Sequence, residues 1–212
     1  STSAYSAAVR NSGITVTSVN DAPSGTSATI TLAEDTSKTF SAADFGFTDA
    51  ADSPANALSA VIITTLPAAG SLTFNGTPVT VGQSIAVASI GSLVFTPASN
   101  ANGLAYASLG FKVQDDGGTA NNGVNTSSSE STLSIDVTAL YDAPVNTVPG
   151  AQTVAEDTSL SITGLSVNDV DGNLATTRLT VSNGSLSVSL AAGASISEGA
   201  NNSSTLTLSG TQ

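Results

Sequence analysis

Apolar and polar positions alternate along most of this chain, and the alternation repeats in short runs. Residues 13–19, GITVTSV, and 131–140, STLSIDVTAL, put side chains of one kind on every second position, which predicts strands. Between them lie further strand candidates at 27–33, 37–42, 58–66, 70–74, 77–81, 92–97 and 106–114. Turn residues separate them: Pro67, Asn75-Gly76, Asn102-Gly103, Gly117-Gly118 and Asn122-Gly123. Asn-Gly between alternating runs is a strong hairpin signal, because both residues accept the positive φ of a tight turn. No stretch sustains a 3.6-residue period. Strands at this spacing predict an all-β fold of β-sandwich type with no significant helix.

Both flanking strands run into the same words. Asp-Ala-Pro occurs at 21–23 and 142–144, and Ala-Glu-Asp-Thr-Ser follows at 33–37 and 155–159. Pro23 and Pro144 fix φ and remove a donor, which stiffens the exit from the preceding strand. The repetition divides the chain into three parts. Residues 1–20 are expected to be the last strand of one repeat, 21–141 a complete sandwich, and 142–212 the start of a related, incomplete one. With no Met, the sequence reads as an interior piece of something longer.

Composition narrows the chemistry. Of 212 residues, 40% are hydrophobic but only nine are aromatic, so the core must be built mainly from aliphatic side chains. Four basic residues stand against sixteen acidic ones, a net charge of −12. That balance argues against nucleic acid or an anionic membrane as partner and favours cations. There is no Cys or His, hence no disulfide, no common zinc ligand set and no His-based nucleophilic triad. No apolar run reaches the roughly 18 residues needed to span a bilayer.

The acidic residues cluster at predicted strand ends. Asp21 lies in the first linker, Asp49 and Asp52 in FTDAADSP, and Asp115 and Asp116 in VQDDGGT. In a sandwich, alternate strand ends meet at one pole. The second linker offers Asp142, with Asp169 and Asp171 in the following loop. Glu34 and Asp35 are expected to reach the far pole of the complete repeat and face Asp142. Oxygen-only clusters suit a hard cation, and Ca2+ accepts six to eight oxygens in flexible geometry where Mg2+ demands a strict octahedron.

Taken together, VNDAP, AEDTSKTFSAADFGFTDAADSPANAL, GSLTFNGTPVTVGQSI, SLVFTPASNANGLAYASLGFKVQDDGGT and LSIDVTALYDAP resemble the bacterial cadherin-like tandem repeats of giant secreted adhesins. The resemblance covers 19–144, and 145–212 is similar to a related repeat. It implies Greek-key sandwiches with calcium between successive domains. Its linker pattern Asp-x-Asn-Asp maps onto Ser18-Val19-Asn20-Asp21, adding Asn20 as a ligand and replacing the first Asp by Ser. Its Asp-x-Asp pattern maps onto Asp169-Val170-Asp171, while the spacing at 49–52 is longer by one. Leu140-Tyr141 stands where Val-Asn is usual, so the second site lacks an Asn oxygen.

Plainer roles compete. Asp is a common turn and cap residue. Asp44, Asp136 and Glu198 read as solvated, and the six Phe as core. The expected function is a calcium-stiffened spacer of a large extracellular bacterial adhesin or surface filament, supporting adhesion or a biofilm matrix, and not an enzyme. Its partners are neighbouring repeats of the same long chain. The alternatives are a carbohydrate- or protein-binding module, an accessory domain of a secreted enzyme, or a subunit that polymerises when the strand at 1–20 of one copy completes the partial sandwich of another.

Overall fold

The computed structural model describes residues 13–191 and 193–210. The chain divides into two compact units, Ser1–Thr138 and Ala139–Gln212. The fold is all-β, and the helical segments among the described residues are three short 3-10 turns.

Unit 1 is two sheets face to face. Strands β1 (Ala28–Ala33), β3 (Leu58–Thr65), β6 (Ser84–Ala86), β8 (Gly103–Asp115) and β9 (Ser131–Thr138) form one, in the order β1-β9-β8-β3-β6. Strands β2 (Lys38–Thr39), β4 (Ser71–Phe74), β5 (Thr77–Pro78) and β7 (Leu93–Thr96) form the other, in the order β2-β7-β4-β5. The Asn-Gly signal is realised at the β4–β5 hairpin. Asn75 and Gly76 both take positive φ, 51° and 75°, as the two-residue turn requires. Strand β6 escapes the alternation test because it is three residues long with one buried side chain, Ile85.

Alternate positions turn inward. Leu133, Ile135 and Val137 of β9 and Leu109, Phe111 and Val113 of β8 meet Leu72, Leu93 and Phe95 of the facing sheet. Phe45 packs edge-on against Phe111 at 5.0 Å between ring centres, and Phe40 lies 5.8 Å from Phe45. Edge-to-face rings add to area burial because the ring edge is positive and the face negative. Phe40, Phe45, Phe95 and Phe111 are fully buried, and Phe47 and Phe74 pack against them, so the phenylalanines build the core.

Strand β1 pairs with β9 in parallel, Ile30 opposite Ile135 and Leu32 opposite Val137, and β9 pairs antiparallel with β8. At about 3.3 Å per residue, the thirteen residues of β8 carry the chain roughly 40 Å from one pole to the other. One pole receives Asp115; the other receives Asn102, Glu34 and Thr138.

Two expectations need correction. Residues 13–19 form no strand: the segment is unpaired and Ile14 and Val16 are each 87% exposed. A lone alternating segment gains no ladder hydrogen bonds, so periodicity without a neighbour does not make a strand. The rest of the 1–20 expectation lies outside the described residues. Asp44 is not simply solvated. Its carboxylate accepts from the Ser41 main chain at 2.7 Å and from Lys38 Nζ at 3.0 Å, holding the 3-10 turn that carries Phe45. Asp136 likewise accepts from the main-chain N–H of Ala105 at 2.7 Å.

Unit 2 contains β10 (Val145–Thr147) paired with β11 (Ser166–Asn168), and β12 (Thr176–Thr180), β13 (Ser195–Gly199) and β14 (Thr205–Ser209) in the order β12-β14-β13. Its burial is slight. Leu206 is its one fully buried apolar side chain among the described residues, while Val145, Val154, Leu160, Ile162 and Leu165 are exposed. A groove of about 700 Å³ opens between its two sheets, lined by Val148, Leu165, Val167, Leu174 and Leu208 together with polar residues such as Asn146, Thr177 and Arg178.

Two predictions follow from this packing. Ile135→Ala removes a fully buried β9 side chain and is expected to cost about 2–5 kcal/mol in unit 1, measured by denaturant unfolding. Burial alone acts to raise the Asp44 pKa, but the Ser41 main-chain N–H, the Lys38 ammonium and the Ser41 hydroxyl outweigh it, leaving the pKa below its ordinary 3.8. Folding thus favours the charged form. Its contribution is complete above 3.8 and is lost as pH falls through the lower folded value. Asp44→Asn should flatten the acid limb of the stability curve below 3.8 and leave the neutral limb parallel.

Candidate functional site

The pole at the end of β8 is assembled from three segments remote in sequence. Asn20 anchors it. Its Nδ2 shares its two hydrogens among Asp115 Oδ1 at 3.0 Å, the Gly118 carbonyl at 3.1 Å and the Val124 carbonyl at 2.9 Å. Its carbonyl accepts from the Val124 N–H at 2.9 Å. The linker is therefore stitched to the loop after β8 by both side chain and main chain.

The 49–57 loop enters from the other side. The Asp21 main-chain N–H donates to Asp52 Oδ2 at 3.0 Å, and the Asn56 N–H donates to Asp49 Oδ2 at 2.8 Å. The Asn56 side-chain amide reaches Asn20 Oδ1 and Asp52 Oδ2. Asp116 closes the ring: its Oδ1 accepts from Ala57 N–H at 2.8 Å and its own N–H donates to the Ala57 carbonyl at 3.1 Å. A Cβ at Gly117 would run into the side chains of Asn20 and Asn56, so any larger residue there would displace them.

Six residues read from the sequence as ligands, Asn20, Asp21, Asp49, Asp52, Asp115 and Asp116, thus fall at one pole. Sequence reasoning missed Asn56, which sits between Asp49, Asp52 and Asn20. Its signal was an amide oxygen and nitrogen four residues after Asp52, in a loop already rich in Asp.

The electrostatics are unusual. Asp49 is 7% exposed and Asp115 is 2% exposed. Asp49 Oδ1 and Asp115 Oδ2 are buried with no hydrogen-bond partner. Among the described residues of unit 1, the two lysines are engaged elsewhere: Lys38 is paired with Asp44, and Lys112 donates to the Ser128 carbonyl at 3.1 Å. A buried carboxylate with an unsatisfied oxygen is strongly disfavoured unless a cation or donor reaches it. Among the described residues, no group of three or more acidic side chains is placed to hold a metal ion. The oxygens here are mixed, from carboxylates, side-chain amides and main-chain carbonyls, the donor set that calcium accepts.

Unit 2 repeats the entrance to this arrangement. The Asp142 N–H donates to Asp171 Oδ2 at 2.6 Å, as Asp21 N–H does to Asp52. The Asp171 N–H donates to Asp169 Oδ1 at 3.0 Å, and Asp169 is 6% exposed. The β10–β11 pair, Val145 opposite Asn168, reproduces the bridge between Ser24 and Thr48 in unit 1. The extra residue between Asp49 and Asp52 therefore leaves the linker contact intact.

Glu34 and Asp35 occupy the other pole of unit 1. Glu34 is 1% exposed and its Oε2 accepts from Asn102 Nδ2 at 3.1 Å, while Asp35 Oδ1 accepts from Asn100 N–H at 3.1 Å. Both hold the loop that starts β8. No family model, curated protein or solved structure matches the chain.

Gly117→Ala tests the close approach. It is expected to destabilise unit 1 by roughly 1–3 kcal/mol through displacement of Asn20 and Asn56, whereas Gly76→Ala, where a Cβ meets open space, should leave the pole intact and strain only its own turn. Amide exchange at Val124 distinguishes the two.

Proposed function

We propose that the chain is a calcium-stiffened spacer of a large extracellular bacterial adhesin or surface filament, built from cadherin-like repeats, and that its work is mechanical rather than catalytic. The observation that carries this reading is the pair of buried, unpartnered carboxylate oxygens on Asp49 and Asp115, in a pole with no lysine to spare. A divalent cation held by Asn20, Asp21, Asp49, Asp52, Asp115 and Asp116 would supply the missing positive charge. Asp142, Asp169 and Asp171 would hold a second.

The linker position of these residues explains why binding would stiffen. Asn20 and Asp21 belong to the segment that enters the sandwich, and Asp49, Asp52 and Asp115 to the sandwich itself. A cation shared between them would tether the segment to the body. Without it, like charges remain crowded and the segment is held by hydrogen bonds alone. Absence of Cys fits a chain braced by a cation from its surroundings instead of disulfides. Extracellular calcium modules commonly bind at about 10⁻⁴–10⁻³ M.

Thermal melting with calcium and with a chelator tests the proposal. At calcium a hundredfold above Kd, one site adds about 2.7 kcal/mol, on the order of a 10 °C rise in Tm for a unit of this size. Asp49→Asn with Asp115→Asn should abolish that rise. The same pair should melt higher than the parent in chelator, because two uncompensated buried charges are gone. Equal melting of the parent in calcium and chelator would refute the calcium reading, and small-angle scattering should show a more extended particle with calcium.

A further inference from the structure

An open sheet edge is a row of free main-chain donors and acceptors, and soluble proteins blunt such edges with short strands, charge, proline or bulges. Most edges in this chain carry one of these devices. In unit 1, β2 is two residues long and includes Lys38, β5 is two residues long and includes Pro78, and β6 is three residues long. In unit 2, β10 and β11 are three residues each, β12 carries Arg178, and β13 carries Glu198 beside a break in register. Strand β1 is the exception among the described residues. It edges the five-stranded sheet, runs for six residues, ATITLA, and has no charge, no proline and no bulge.

The pairing with β9 fixes which groups are left over. In a parallel pair, alternate residues turn both main-chain groups toward the neighbour. The Glu34 N–H donates to the Thr138 carbonyl at 2.9 Å, and the Leu32 carbonyl accepts from Thr138 Oγ1 at 3.3 Å. The even-numbered residues therefore face β9, and Thr29 and Thr31 turn their N–H and C=O groups to the open side. Both side chains are exposed. On the core face the edge is half-finished. Ile135 and Val137 of β9 are 0% and 3% exposed, whereas Ile30 and Leu32 opposite them are only partly buried.

We propose that β1 pairs antiparallel with β1 of a second copy, joining two five-stranded sheets into one across a two-fold axis at Ile30. Thr29 then lies opposite Thr31 of the second copy, each such pair exchanging both N–H···O bonds, and the two Ile30 side chains meet at the closer, non-hydrogen-bonded position. The partner is a second copy because strand addition needs an edge equally open, and among the described edges of this chain β1 alone is one. Charge points the same way. Residues 22–33 carry no charge, so two chains of net charge −12 meet here without apposed carboxylates. The register sets Glu34 of one copy opposite Thr26 of the other, which keeps the two Glu34 side chains at opposite ends of the ribbon. The contact is isologous, so it closes at the dimer. It is short, so the dimer is weak, in the class of interfaces below about 1,200 Å². It uses no residue of the Asn20 pole and stands apart from the cation reading.

Sedimentation at about 0.15 M salt, where exposed charges are screened beyond about 8 Å, tests it. The 212-residue chain should enter a monomer–dimer equilibrium as its concentration approaches about 1 mM. Thr29→Lys with Thr31→Lys sets like charges opposite each other across the contact and should weaken association at least tenfold. Denaturant unfolding of unit 1 should stay that of the parent, because both side chains are exposed. Mixing this variant with Thr29→Glu, Thr31→Glu should restore a dimer. A chain that stays monomeric, association that the lysine pair leaves unchanged, or a mixture without heterodimer overturns the pairing. Crosslinking gives a second measurement, since the chain has no native Cys. With a short bifunctional thiol reagent, Thr31→Cys should give at least tenfold more crosslinked dimer than Thr77→Cys on the exposed β5 edge, and equal yields refute the contact.

Discussion

Two carboxylates buried at the end of a β-strand set the terms for everything around them. Asp115 ends β8, and Asp49 sits on the loop before β3, each with one oxygen that no donor reaches. Desolvated negative charge is tolerable only if hydrogen bonds and a counter-charge restore what water supplied. The pole answers the first need with the Asn20 side chain and the Gly117 N–H on Asp115 and the Asn56 N–H on Asp49. The second need is the one that the proposed cation would meet.

That arrangement rests on the hydrophobic sandwich beneath it. Strands β8, β9 and β3 are held rigid by side chains that are essentially inaccessible, among them Val61, Leu109, Phe111, Val113 and Ile135. A rigid strand delivers its terminal Asp to a fixed place, so the acids of the pole are positioned by packing along the strand behind them. Unit 2 shows the converse. With Leu206 its one fully buried apolar side chain among the described residues, it keeps the linker contact between Asp142 and Asp171 but leaves 150–155 without a sheet. The same local words yield a strand in one unit and none in the other, because a strand exists only with its neighbour.

Much of unit 1 was legible beforehand. The alternation at 58–66 and 131–140 became β3 and β9 almost to the residue, and Asn75-Gly76 became a tight hairpin turn. Asp21, Asp49, Asp52, Asp115 and Asp116 were visible as strand-end acids. Other features were not. Alternation tells which face of a strand is buried but not which strand lies beside it, so the parallel pairing of β1 with β9 could not be read. Asp44 and Asp136 looked like ordinary surface acids because their donors, Lys38 with Ser41 and the Ala105 N–H, are supplied by turns and by a neighbouring strand. Asn56 was passed over because a single Asn in a loop has no periodicity to mark it.

What the sequence determined by itself is therefore the local vocabulary: strand faces, turn residues, the repeat, and a surplus of carboxylates at strand ends. Those follow from side-chain period and backbone preference, which act over a few residues. Tertiary structure alone decided which acids share a pole, which oxygens lose water without gaining a donor, and which alternating segment finds a partner. Each of these depends on contacts between residues some thirty to more than a hundred positions apart, and only the closing of two sheets over a common core brings such residues together.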